Sequence, residues 1–411
     1  MARLLGVLPR CSAFVGAGLA LLAACGTTAV APPPASFLVV AGDSTFWLES
    51  RAPGITARRS ALLLTRVDGR FHELYVADED LSYRDALMIG QRIFRRDLRT
   101  GDSVLVWYDS AIAGIARAWA AQHPGDRPLG ENDEANDDPV VQATTDTELL
   151  DVEGPYLSYE FHLDIDAHGQ RDQHVTRRAV VDIRNGHAIR PHDLLPAASA
   201  QRVLTEGRAR LSAALDSVRQ ASDERATQAR TAIGGFAFDS TSFALMSGEH
   251  GPALAFLVPG RGATAGGYSL PLGEIPVEGG AWWSASAPTR PTRSDDHSAV
   301  WSGPQGSYDV VATVDAAGAA ATIQLQHDTH RWTMATVPLP VRRVFRLGSA
   351  PADSAERRAL VRAFDEADTY GGLTRPTALR RSVAARRHLP RLVPTWTPKL
   401  RATARRSLPT L

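Results

Sequence analysis

The chain has two cysteines, Cys11 and Cys25, and none between Gly26 and Leu411. Whatever folds beyond Cys25 does so without a disulfide, a zinc ribbon, a thiol nucleophile or a redox pair. Such a body must hold together by burying apolar side chains. Its 44% hydrophobic and 22% charged residues are an ordinary globular balance, which excludes wholesale disorder. A length of 411 residues allows two or three domains. The formal net charge of zero hides an asymmetry. Residues 1–25 and 371–411 contain no acid and hold 2 and 10 of the basic residues, leaving 33 basic against 45 acidic side chains in between. A body of that sign is not built for nucleic acid.

Residues 1–25 read as a secretory signal. Arg3 and Arg10 give a basic start, Phe14 to Leu22 an apolar core too short to span a bilayer, and small residues follow. The closing Leu22-Ala23-Ala24-Cys25 resembles the lipobox of bacterial lipoproteins. The resemblance implies cleavage before Cys25, a diacylglycerol on its sulfur and an acylated N-terminus. Two or more acyl chains make a stable membrane anchor. Residues 26–35, with Pro32-Pro33-Pro34, read as a stiff tether. Gly26 rather than Asp after the cysteine favours the outer membrane, by resemblance to enterobacterial sorting.

The expected fold class is α+β in several units. Residues 36–122 read as a mixed α/β unit. Asp68-Gly69 sits between two alternating runs as a hairpin turn, and Tyr83, Leu87, Gly90, Phe94 and Leu98 recur at helical spacing. Residues 123–149, acidic around Gly130 to Pro139, read as a linker. Residues 150–278 read as an α+β domain with antiparallel strands and one long helix from about Ala198 to Ala229. In its first strand Leu157, Tyr159, Phe161, Leu163 and Ile165 share one face, with a wet face opposite. Residues 296–347 read as a small all-β unit, residues 351–370 as a helix with Leu360, Val361 and Phe364 inward, and residues 371–411 as a basic tail.

The order of elements in 150–278 carries a family resemblance. A strand leads to Ala167-His168-Gly169, and a second turn follows at Asp182-Ile183-Arg184-Asn185-Gly186. Asp193-Leu194-Leu195 then opens the helix, and Gly266-Gly267-Tyr268 comes late. This resembles the extracytoplasmic domain of RsiV-type anti-sigma factors. The resemblance implies an extracellular recognition module and no catalytic residue. A spanning helix and a cytoplasmic segment are lacking here, so anti-sigma activity does not carry over.

Several residue groups invite chemistry. Ser44 in Gly42-Asp43-Ser44 follows a strand, as in an esterase, yet no histidine has an aspartate three positions before it. His162, Asp164, Asp166 and His168 would project from one strand face, but ligands at i, i+2 lie too far apart for all four to hold one ion. The acids of 130–139 lack the order of a calcium loop. No metal or cofactor is expected. Trp282 and Trp283, with Tyr268 nearby, are the candidate ligand contacts, since aromatic faces stack sugars. The basic tail reads first as a solvated extension, with anionic headgroups, acidic wall polymers or the acidic body itself as alternative contacts. Together these point to a lipid-anchored envelope protein facing the periplasm, acting as a non-catalytic binding or interaction module for an envelope protein or cell-wall ligand. The alternatives are an envelope hydrolase and a structural spacer.

Overall fold

The computed structural model describes residues 30–51, 54–130, 133–167, 173–220, 233–248, 251–260, 269–304, 307–348 and 354–369. Cys25, Tyr268, His168, the signal segment and the basic tail lie outside them. The chain opens with the meander β1 (Ala35–Ala41), β2 (Ser44–Arg51) and β3 (Gly54–Ser60). Next come β4 (Leu63–Val67), β5 (Arg70–Asp80), β6 (Ala86–Asp97) and β7 (Ser103–Tyr108). Helix α1 (Ser110–Gln122), capped by the Asp109 carboxylate on the Ala111 N–H, leads to β8 (Val141–Glu153), β9 (Tyr156–Ala167), β10 (Gln173–Asp182) and β11 (His187–Ala188). Helices α2 (Pro191–Leu194) and α3 (Ala197–Gln220) precede β12 (Phe243–Gly248), β13 (Gly251–Pro259) and β14 (Ser269–Pro276). A short helix α4 (Ala281–Ala285) is followed by β15 (Arg293–Ser294), β16 (Ser298–Trp301), β17 (Asp309–Val314), β18 (Ala320–His327), β19 (His330–Pro338), β20 (Val341–Arg346) and helix α5 (Ala355–Thr369).

These strands form four sheets. The first and last described strands meet in one of them, ordered β20-β1-β2-β3. Strand β1 is apolar from Phe37 to Ala41 because both faces are covered there. Phe37, Val39 and Ala41 pack with Val310, Ile323 and Leu325 of the five-stranded sheet β15–β19, as one sheet on another. Leu38 and Val40 face Leu360 and Phe364 of α5, where Trp47 meets Phe364 edge-on with ring centroids 5.6 Å apart.

Between the ends lies an eight-stranded sheet, β11-β10-β9-β8-β6-β5-β4, with β7 paired to β6. The first half of β6 pairs in parallel with β8 (Ala86–Ile89 beside Val141–Thr144). Its second half pairs antiparallel with β7. Helix α1 bridges the two, laying Ile112, Ala116 and Trp119 on Met88 and Ala143. The sheet curls until Trp107 of β7 lies against Tyr159 and Phe161 of β9, with centroids 4.7 and 5.3 Å away. The close approach also needs Gly186, since a Cβ there would sit 2.7 Å from the Val106 carbonyl oxygen. The sheet β12-β13-β14 docks on the other side, under α3, with Val203, Leu204 and Leu211 on Leu254, Phe256 and Leu272.

The expected α+β class is overturned. The described residues are β-rich, with 51% strand against 21% helix. The largest misreading falls on β6, where the helical spacing of Tyr83 to Leu98 predicted a helix. The strand is covered on both sides, so Ala86, Met88, Ile89, Gly90, Gln91 and Ile93 are all buried. Double-sided burial erases the two-residue period that would have marked it. Strand β8 begins inside the segment predicted as an acidic linker, and strands from 63–108 and 141–188 share one sheet across it. Its threonines supply β propensity in place of apolar bulk. Among the described residues no helix is long and apolar enough to cross a membrane.

Candidate functional site

A cavity of about 420 Å³ opens at one end of the eight-stranded sheet. Two tight turns make its mouth. Asp68 and Gly69, with φ of 50° and 75°, join β4 to β5; this left-handed pair is the hairpin geometry that favours Asp-Gly. Arg99 to Asp102 joins β6 to β7. Register places the turns side by side, because His72 of β5 lies opposite both Thr65 of β4 and Asp97 of β6.

Alternation then decides what faces inward. Leu74 and Ile93 carry the apolar cluster of the sheet. Two residues further along their strands the same face turns polar, with His72 on β5 and Arg95 on β6. Buried Val67 and His72 form the floor, half-buried Arg95 and Asp97 the walls, and exposed Asp68, Arg70 and Asp102 the rim.

The charges are unequally paired. Burial would raise the pKa of Asp97, but N–H donors of Arg99 at 2.7 Å and Thr100 at 3.4 Å outweigh it, helped by Arg70 at 3.4 Å. Its carboxyl is held below the ordinary aspartate value. Burial, followed by the positive charge of Arg95, pushes His72 below the ordinary histidine value. The imidazole is therefore neutral at pH 7, and its buried Nδ1 has no hydrogen-bond partner. Among the described residues, nothing forms a hydrogen bond or ion pair with the Arg95 side chain. Thr100 is the only hydroxyl in the lining, which contains no Ser, Cys or Lys. The arrangement suits recognition of charge more than attack on a bond.

Trp282 and Trp283 stand on α4 rather than on a strand. Trp282 is fully buried in the core beneath α3. Trp283 is half-buried, and the Arg290 guanidinium lies over its ring, 3.3 Å from the centroid, while also donating to the Trp283 carbonyl. One ring face is thus taken by a cation–π contact. Beside it Glu153, buried and accepting from Ser247 at 2.8 Å, has its pKa raised by burial and by Asp151, against the pull of Arg343. Asp151 pairs with Arg342 and Arg343 of β20. These charges lock the eight-stranded sheet to the sheet of the chain ends. Tyr268 lies outside the described residues.

The strand of histidines and aspartates separates into pairs. His162 bonds Thr176 through Nδ1 at 2.8 Å and approaches Glu160 at 3.6 Å, while Asp164 pairs with His174 at 2.8 Å. Among the described residues no three His, Cys, Asp or Glu side chains converge as a metal site. The Ser44 hydroxyl donates to Asp43 at 2.9 Å and accepts from Arg59; no described imidazole bonds it.

The cavity residues escape a linear reading because they come from strands about two dozen positions apart. One signal was present: His72, Arg95 and Asp97 fall on the same phase as the apolar Leu74, Val76 and Ile93 of their strands. A scan against protein-family models finds no match to this chain, and a search of curated proteins finds none either.

Proposed function

We propose that this chain is a lipid-anchored protein of the cell envelope whose body serves as a non-catalytic binding or interaction module. The observation that carries the reading is Leu22-Ala23-Ala24-Cys25 at the end of a basic-then-apolar start. The Pro-rich residues that follow would hold the body off the membrane surface, with Gly26 favouring the outer membrane. Two features support binding over catalysis. The cavity is built on paired strands and holds fixed charges of both signs, with no Ser, Cys or Lys in its lining, and Ser44 bonds its neighbour Asp43 and Arg59, with no described imidazole beside it. The order of elements in 150–278, with its resemblance to an extracytoplasmic recognition domain, agrees with this. An envelope protein or a cell-wall fragment is the partner proposed.

Metabolic labelling with a clickable palmitate tests the anchor. The full chain should take up label and fractionate with membranes, and Cys25→Ser should do neither. Equal labelling of both would refute it.

A further inference from the structure

The cavity between the two turns carries more charge than its internal pairing uses. Arg70 and Asp97 are engaged with each other, and Asp97 also takes two backbone N–H groups. Left over on the inside are the Arg95 guanidinium and the His72 ring, 7% exposed with Nδ1 unpartnered. Left over on the rim are the carboxylates of Asp68 and Asp102, neither of which takes a hydrogen bond from any described residue. Arg95 offers charged donors to an anionic group above the His72 floor, in a partly dehydrated setting where a charge-assisted bond is strong. The outer pair offers acceptors to a cation.

The geometry points to a small zwitterion of the amino-acid or short-peptide type, with its carboxylate on Arg95 above the His72 floor and its ammonium toward Asp68 and Asp102. The binding energy comes from satisfying groups that the fold leaves unpaired. A doubly charged phosphate fits less well, because the rim carboxylates repel it. A bare divalent cation would meet two arginines. The cavity volume of about 420 Å³ is that of small-molecule sites and leaves room for two or three residues of a peptide. This deepens the binding-module reading and rests on it for the role of the cavity, but not on the anchor.

Titration calorimetry on the detergent-solubilised full chain provides the test, with three probes: glycylglycine, N-acetylglycylglycine and glycylglycinamide. Glycylglycine should bind, and each blocked analogue should bind roughly tenfold more weakly. Arg95→Gln should weaken glycylglycine by roughly tenfold and erase its advantage over the amide. The double variant Asp68→Asn with Asp102→Asn should instead erase its advantage over the acetylated form. Both variants change side chains without internal partners, so unchanged thermal melting should show that they fold. The proposal is overturned if glycylglycine does not bind, if Arg95→Gln binds it as the parent does, or if inorganic phosphate binds as tightly. A chain that captures an envelope partner while ignoring all three probes would overturn the cavity assignment and leave the binding-module reading intact. Binding of glycylglycine through Arg95 by a chain that takes up no palmitate would support the cavity and count against the anchor.

Discussion

The sandwich around β1 and β20 and the eight-stranded sheet between them in sequence are both built of paired strands but treat charge differently. In the sandwich, Phe37, Val39 and Leu48 meet Val310, Ile323 and Leu325 in one apolar cluster, and the charges its strands carry, Glu49 and Arg343, pair outside it, with Arg357 of α5 and Asp151 of β8. The eight-stranded sheet instead buries charge within its strands. Arg96 bonds Glu73 at 2.6 Å and reaches Glu366 of α5 at 2.9 Å, and Arg178 bonds Glu160 at 2.9 Å. An apolar interface tolerates repacking, whereas a buried ion pair fixes which strand residues must face each other. The difference assigns stability to the first region and positioning to the second, and the open cavity lies in the second.

Five changes test that contrast. Phe37→Ala should cost about 3–5 kcal/mol in denaturant unfolding, because a fully buried ring leaves a cavity between two sheets. A loss under about 1 kcal/mol would mean the sandwich core is not tightly packed. Arg178→Met should cost about 3 kcal/mol by stranding Glu160, and adding Glu160→Leu should recover most of it. If the double variant is no better than the single, the pair is holding the docked β12–β14 sheet in place as well as matching charge.

The third change concerns pH. Burial raises the pKa of Glu153 above that of an unfolded glutamate. The folded state then keeps a proton that the unfolded chain has already released, so stability falls as pH rises from the ordinary glutamate value through the raised one. Glu153→Gln should flatten that fall in melts between acid and neutral pH. Asp182 works in the opposite sense. Burial opposes its ionisation, but hydrogen bonds from Arg184 prevail and lower its pKa. Its contribution is present above the unfolded aspartate value and is lost as pH falls through the folded one, so Asp182→Asn should remove part of the acid-side loss. The smallest effect is expected at Gly69→Ala, about 1 kcal/mol. The built Cβ meets nothing within 4 Å, and only the φ of 75° opposes it.

The contrast also explains what could be read from the sequence. The Asp68-Gly69 hairpin was legible because a left-handed turn selects its residues locally. In β9, Leu157, Tyr159 and Phe161 are buried as their alternation predicts. The face expected to be wet is dry at Ser158 and Glu160. There Ser158 accepts the Leu245 N–H at 2.9 Å, and Glu160 meets Arg178. No local pattern reveals that a second sheet lands on a polar face, because only strand pairing brings the matching groups together. Helix α5 followed from Leu360 and Phe364, a single apolar stripe against one sheet. Strand β6 did not, having two. The cavity was illegible for the same reason as the ion pairs: register rather than spacing assembles His72, Arg95 and the two turns.

The most direct measurement is the ring NMR signal of His72 while the full chain is titrated with glycylglycine. The account predicts a saturable shift of that one imidazole, lost in Arg95→Gln. A His72 signal that stays still while the peptide binds would place recognition elsewhere and contradict the account.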